Sequence, residues 1–214
     1  EYKLMGLAPY GDPKYVNLIY ENLIDVKDDG SFNLNQEYFN YCTGLTMTNE
    51  KFNKLFGEPV RNPNKDDLKQ FHMDVASSIQ KVTEEIMIKL CYSLKKEFNK
   101  NNLCLAGGVA LNCVANGKLL ENKKIKNIWI QPASGDSGCA LGAAYLSTYY
   151  NFNFKRISDE KKDKQNFSAL GPSFSINEIK KVLDTNEFIY EELSGYLREK
   201  KVANELSNGK VIAV

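Results

Sequence analysis

The sequence predicts an α/β protein. Three observations carry that prediction. Two short apolar segments each run through small residues and glycine into a helix-like stretch. A long amphipathic segment precedes them. Apolar residues make up 43% of the 214, enough to build a real core.

Taken in order, residues 1–8 read as the last turns of a helix, closed by Ala8-Pro9-Tyr10-Gly11. Asp12-Pro13 reads as an N-cap and first helical residue, with Tyr15, Leu18, Ile19 and Leu23 at helical spacing behind it. Ile24 to Val26 and Ser31 to Leu34 flank Asp28-Asp29-Gly30, a hairpin signal. Residues 49–56 predict a short helix with Phe52, Leu55 and Phe56 inward and Gly57 as its stop. Over 65–99, Leu68, Phe71, Val75, Ile79, Val82, Ile86, Leu90, Leu94 and Phe98 step by three or four residues, the mark of one long amphipathic helix. Two strand–turn–helix units follow, and that order implies parallel strands.

Beyond Tyr150 the composition shifts. Residues 151–172 read as a linker, rich at first in Asn, Lys and Asp. Ser175-Ile176-Asn177-Glu178 matches a capping box with a helix behind it. Phe188 to Tyr190 reads as a strand, about 194–207 as a helix, and 211–214 as a further strand. The predicted organisation is one α/β domain over 1–150, the linker 151–172, and the start of a second domain over 173–214.

Composition narrows the function. A net charge of +1 gives no electrostatic footprint for nucleic acid. No apolar stretch reaches membrane-spanning length, and there is no signal-peptide pattern. Five cysteines without C-x-x-C spacing point to buried reduced thiols in a cytoplasmic protein. The chain opens at Glu1 inside a helix-like run and closes on an apolar segment, which predicts a fragment of something longer.

The chemistry concentrates in the two glycine turns. Leu103 to Asn112 reads LCLAGGVALN, and Ile128 to Gly138 reads IWIQPASGDSG. Such turns let backbone N–H groups and a helix N-terminus approach a phosphate, so Gly107 and Gly108 are candidate nucleotide contacts. Glycine doublets also occur where only a tight turn is needed, and the two readings weigh about evenly. Asn112 has an amide able to reach a ribose or phosphate, or is a solvent-facing residue in a first helical turn. Either Asp136 or Ser137 caps the next helix, or Asp136 is a carboxylate for a metal or phosphate site. The small residues behind it, Gly138 to Ala144, predict a helix lying very close to the sheet. His72 is the one histidine and gets a packing or surface role. Tyr38, Phe39 and Tyr41 read as packing.

Together, Glu1 to Gly11 (EYKLMGLAPYG), Leu103 to Asn112, Gln131 to Ala144 and Ala169-Leu170-Gly171-Pro172 occur in an order that resembles the ATP-dependent O-carbamoyltransferases of nodulation-factor, cephalosporin and aminoglycoside type. The resemblance covers nearly all of the chain, most weakly 25–65 and 151–168. It implies that 1–150 is the C-terminal part of an actin-like ATPase (ASKHA) domain, and that 173–214 begins a domain making carbamoyl-adenylate from ATP and carbamoyl phosphate. The first domain would then pass the carbamoyl group to a hydroxyl of a small-molecule or sugar acceptor. Residue by residue, the resemblance implies that Gly107, Gly108, Val109 and Asn112 hold the nucleotide. Lys3 and Gly6 would lie on the opposite wall, and Asp136 would bind a divalent metal, iron or similar. The family's two metal-binding histidines would precede residue 1, and its carbamoyl-phosphate loop would follow Val214. Rival readings are a tRNA threonylcarbamoyl transferase-like enzyme, a sugar or acetate kinase of the same fold, and a nucleotide-binding scaffold without catalysis.

Overall fold

The computed structural model describes residues 2–121, 123–157 and 165–213. It divides into two compact units, 1–158 and 159–214. The first is mixed α/β with two small sheets of two strands each. The expected connection at 151–172 lies partly outside the described residues.

Helix α1 (Tyr2–Leu7) runs into a 3-10 turn, Ala8–Tyr10. Gly11 then lies hard against the helix opposite. A Cβ there would sit 2.1 Å from the backbone carbon and oxygen of Met73, so only glycine permits the approach. Helix α2 (Val16–Asn22) starts three residues later than Asp12-Pro13 predicts. The intervening polar groups are bound elsewhere. The Asp12 N–H donates to Asp74 Oδ1 at 2.9 Å, and the Tyr15 N–H donates to Ser78 Oγ at 2.9 Å. The hairpin forms as expected: β1 (Ile24–Val26) pairs antiparallel with β2 (Phe32–Leu34), Ile24 opposite Leu34. Helix α3 (Glu50–Phe56) is capped by Asn49, whose side chain accepts from the Lys51 and Phe52 N–H groups, and it closes at Gly57.

Helix α4 (Gln70–Phe98) is the spine of this unit. The lone histidine helps to start it, with His72 Nδ1 accepting from the Lys69 N–H at 2.9 Å. Residues two apart on a helix point about 200° apart. Asp74, Ser78, Val82 and Ile86 are buried on one side, and Ala76, Gln80 and Glu84 on the other. The predicted stripe holds from Phe71 to Ile86, with Phe71, Val75 and Ile79 packed beside Val82 and Ile86, and a second buried row is added to it. Leu68 precedes the helix, and Leu68, Leu90, Leu94 and Phe98 are exposed. On the first side Val82 and Ile86 join Ile19, Leu23, Ile24 and Phe56 in one core. Tyr38, Phe39 and Phe52 pack against it, Phe39 and Phe52 with ring centroids 6.1 Å apart.

Strands β3 (Asn102–Leu105) and β4 (Asn127–Ile130) pair in parallel, with Cys104 opposite Trp129. Between them lie a 3-10 turn, Gly108–Leu111, and helix α5 (Cys113–Glu121). Leu103, Leu105 and Ile128 turn inward onto a second core of Cys91, Leu119 and Ile125. Cys104 and Trp129 occupy the outer, exposed side. Helix α6 (Gly138–Leu146) buries none of its residues, so its small side chains do not press it against the sheet as expected. Cys91 alone of the five cysteines is buried, against the expectation of buried thiols. Cys104 lies on the open sheet face, and Cys139 is on the unburied helix.

The second unit holds α7 (Ile176–Thr185), started by the Ser175–Glu178 capping box, and α8 (Gly195–Ser207). No strand occurs among its described residues. A strand needs a neighbour to take its N–H and C=O groups. Ile189 and Val211, expected in strands, are instead fully exposed.

Asp74 gives the first unit a pH-dependent anchor. Lys14 Nζ lies 2.7 Å from Asp74 Oδ2, and the Asp12 N–H and the Gln70 amide donate to Oδ1. These contacts, the Lys14 bond foremost, pull the Asp74 pKa from 3.8 down to about 2. A depressed carboxylate stabilises the fold above its ordinary pKa, and the gain is lost as pH falls through the folded value. Asp74→Asn is therefore expected to be less stable than wild type at neutral pH, with the difference shrinking between about pH 4 and about pH 2. Urea unfolding across that range measures it; a constant difference would contradict the anchor.

Candidate functional site

The two glycine turns meet at one end of the parallel strands. The Gly107 N–H donates to the Ser134 carbonyl at 2.8 Å, tying the turn after β3 to the turn after β4. In open α/β sheets this carboxyl end of parallel strands is where ligands bind. Gly107 has φ +99° and ψ 161°, a region closed in practice to residues with a Cβ. Gly108 and Val109 are exposed, and a Cβ built on Gly108 meets nothing within 4 Å. The backbone here is open to an incoming group.

Ser134 adds a polar atom that the sequence did not single out. It is buried, and its hydroxyl has no hydrogen-bond partner among the described residues. Buried hydroxyls are almost always paired, so one left over beside a backbone turn invites a ligand or a water. Its signal in the sequence is only its place between Ala133 and Gly135.

Asn112 does more than face solvent. Its Oδ1 accepts from the Ala115 N–H at 3.0 Å, capping α5. Its amide also pairs with Gln80 of α4, with Nδ2 donating to Gln80 Oε1 at 2.9 Å. Gln80 and Glu84 went unnoticed in the sequence because they sit between apolar residues on a helix and read as its wet side.

Asp136 is exposed at the start of α6. It is not that helix's cap: Ser137 holds the N-cap position with helical backbone angles, and no side-chain cap bond is made. Among the described residues no three His, Cys, Asp or Glu side chains gather to hold a metal ion. Asp136 offers one carboxylate, so a divalent ion held there would need further ligands beside it.

Lys3 lines an apolar cavity of about 440 Å³ with Leu4, Phe52, Phe56 and Phe71, to which neither glycine turn contributes. Gly6 is exposed and open. Their neighbour Met5 does approach α5: its Sδ is 4.0 Å from Cys113 Sγ at the start of that helix. The turns thus gather Gly107, Gly108, Val109, Asn112 and Asp136 around one sheet end, while Lys3 faces a different cavity. No helix among the described residues is long and apolar enough to cross a membrane.

Comparison with known proteins adds the following. A family model described as "Carbamoyltransferase N-terminus" matches residues 1–145. An uncharacterized protein of Synechocystis is 52% identical over 214 residues, 99% of this chain and 34% of its own length. Nodulation protein NolO of Bradyrhizobium diazoefficiens is 36% identical over 146 residues, 68% of this chain and 24% of its own length. Nodulation protein NolNO of Sinorhizobium fredii is 36% identical over 146 residues, again 68% of this chain, and 20% of its own length. The chain therefore spans about a third or less of these relatives.

Proposed function

Because the chain belongs to the carbamoyltransferase family, whose N-terminal model covers 1–145, we propose that its paired glycine turns hold a nucleotide. In the full-length protein, on this reading, a carbamoyl group passes from carbamoyl phosphate, via carbamoyl-adenylate made with ATP, to a hydroxyl of a small-molecule or sugar acceptor. The observation that carries the reading is the Gly107–Ser134 bond, which couples two open turns at the carboxyl end of parallel strands. In the transfer step the acceptor oxygen bonds to the carbamoyl carbon. The bond from that carbon to the adenylate oxygen breaks, AMP leaves with the electron pair, and the hydroxyl proton goes to a base. Gly107, Gly108 and Val109 would offer backbone to the adenylate phosphate, and electrostatic stabilisation of that leaving group is where such donors act. Asn112 would hold the end of the turn. Lys3 and Gly6, which the family resemblance puts at the opposite wall, lie on α1, and the cavity lined by Lys3 takes no residue from either glycine turn.

Asp136 is assigned to the divalent ion that a nucleotide carries on its own phosphates. Such ions are held by one or two carboxylates together with phosphate oxygens and waters. That ion belongs to the substrate.

Gly108→Val tests the nucleotide reading. A side chain there meets no protein atom within 4 Å at its Cβ, so thermal unfolding is expected to shift little, by about 0.5 kcal/mol or less. The ATP dissociation constant of the full-length protein is expected to rise at least about tenfold, since the side chain occupies the space a phosphate would take. Unaltered ATP affinity in a folded variant would overturn the reading.

A further inference from the structure

Gln80 and Glu84 are one helical turn apart on α4, 6% and 2% exposed. Buried groups of this kind must have partners. Gln80 pairs with Asn112 in both directions: its Nε2 donates to Asn112 Oδ1 at 3.1 Å, and its Oε1 accepts from Asn112 Nδ2 at 2.9 Å. Two amides joined this way could be turned over together and still pair. Their outer contacts forbid it. At one end Gln80 Nε2 also donates to Glu84 Oε1 at 2.9 Å. At the other, Asn112 Oδ1 also accepts from the Ala115 N–H at 3.0 Å. An ionised carboxylate only accepts and a backbone N–H only donates. Inverting the pair would set an amide oxygen against the carboxylate and an NH2 group against the N–H. One polarity survives. Glu84 is itself held by Lys118 of α5, whose Nζ donates to its Oε2. The chain of contacts therefore closes a ring from α4 through Asn112 and α5 back to α4.

The ring grips the turn at its downstream end. Asn112 follows directly on Gly108–Leu111 and its N–H donates to the Val109 carbonyl. The adjacent Asn116 Nδ2 donates to the Ala110 carbonyl at 2.8 Å. At the upstream end, Gly107 is held by Ser134. Between these two clamps Gly108, Val109 and Leu111 are exposed, while Ala110 is buried.

We propose that Gln80 is a positioning residue for the nucleotide turn: through an amide pair with Asn112 whose polarity Glu84 fixes, α4 sets where the Gly107–Leu111 backbone is presented. This rests on the nucleotide reading of that turn. Gln80 touches no reacting atom; it acts through Asn112.

The test uses the full-length protein with Gln80→Leu, Glu84→Gln and, as control, Val82→Ala on the opposite side of α4. Two quantities are read: amide hydrogen exchange across 107–115 without ligand, and the ATP dissociation constant by calorimetry. Gln80→Leu strands the Asn112 amide and is expected to raise exchange across 107–115 and weaken ATP binding, each about tenfold. Glu84→Gln keeps the volume but removes the acceptor-only group. It is expected to give a smaller change of the same sign, and it carries the test should Gln80→Leu fail to fold. Val82→Ala lowers the melting temperature while leaving exchange at the turn and ATP affinity as in wild type. Exchange and ATP affinity in both polar variants matching Val82→Ala would overturn the inference. Absence of ATP binding by wild type would sink the nucleotide reading instead, and the exchange result would still decide whether Gln80 positions the turn.

Discussion

Asp136→Ala in the full-length protein is expected to lower carbamoyl transfer about a hundredfold, the scale on which single charge-stabilising groups act. Its stability should change little, by about 0.5 kcal/mol or less. The separation follows from the geometry. Asp136 is exposed, and Ser137 rather than Asp136 takes the N-cap position of α6. A helix cap would instead cost about 1 kcal/mol on removal. A carboxylate beside a polyphosphate is repulsive unless a cation lies between them, so on the proposed nucleotide reading Asp136 is expected to share an ion with the nucleotide. Raising free Mg²⁺ is accordingly expected to restore part of the lost rate. Transfer kinetics and thermal unfolding on one preparation decide the matter. Normal transfer by the variant would remove Asp136 from the site.

Leu119→Ala is expected to cost about 2–5 kcal/mol, the range for emptying a buried leucine site. Leu119 has 0% exposure and lies with Cys91 and Ile125 under Leu103, Leu105 and Ile128. This core joins α4, α5 and both turn-bearing strands, so the cavity would open where those elements meet. Urea unfolding of the full-length variant measures the cost. A loss under about 0.5 kcal/mol, the level of an ordinary surface change, would show that this core is not holding the strands.

The parallel pair was legible in the sequence because each strand is short, apolar and leads into a turn of small residues bearing glycine, and both signals are local. The hairpin, the Gly57 stop of α3 and the α7 cap were legible for the same reason: Asp28-Asp29-Gly30, Gly57 and Ser175 act on their immediate neighbours. What was not legible depends on contacts far apart in the chain. Helix α2 begins late because residues 12–15 bind Asp74 and Ser78, some sixty positions on. The second buried row of helix α4 is invisible to periodicity, which sees side chains and not neighbours. Gln80 and Glu84 are buried by the elements they contact, which polarity alone predicts to be wet. Phe188–Tyr190 has strand composition, yet among the described residues no strand lies beside it. The nucleotide candidates were visible as Gly107 and Gly108, while Ser134 became one only once its hydroxyl was seen buried and unpaired. Fold class and general family were within reach of the residues alone; the polarity of the Asn112 amide was not.

Trp129 is the chain's single tryptophan, and it stands on the outer side of β4, 53% exposed and directly across from Cys104. An indole half in water and half against its own sheet is an optical reporter placed by the fold on one surface. Its emission colour registers the polarity outside β3 and β4 and is indifferent to the inner core. A thiol dye on Cys104 would sit within one strand spacing, about 5 Å, close enough for contact quenching. The sheet that carries both glycine turns thus brings its own matched donor and label site, on the side facing away from α4.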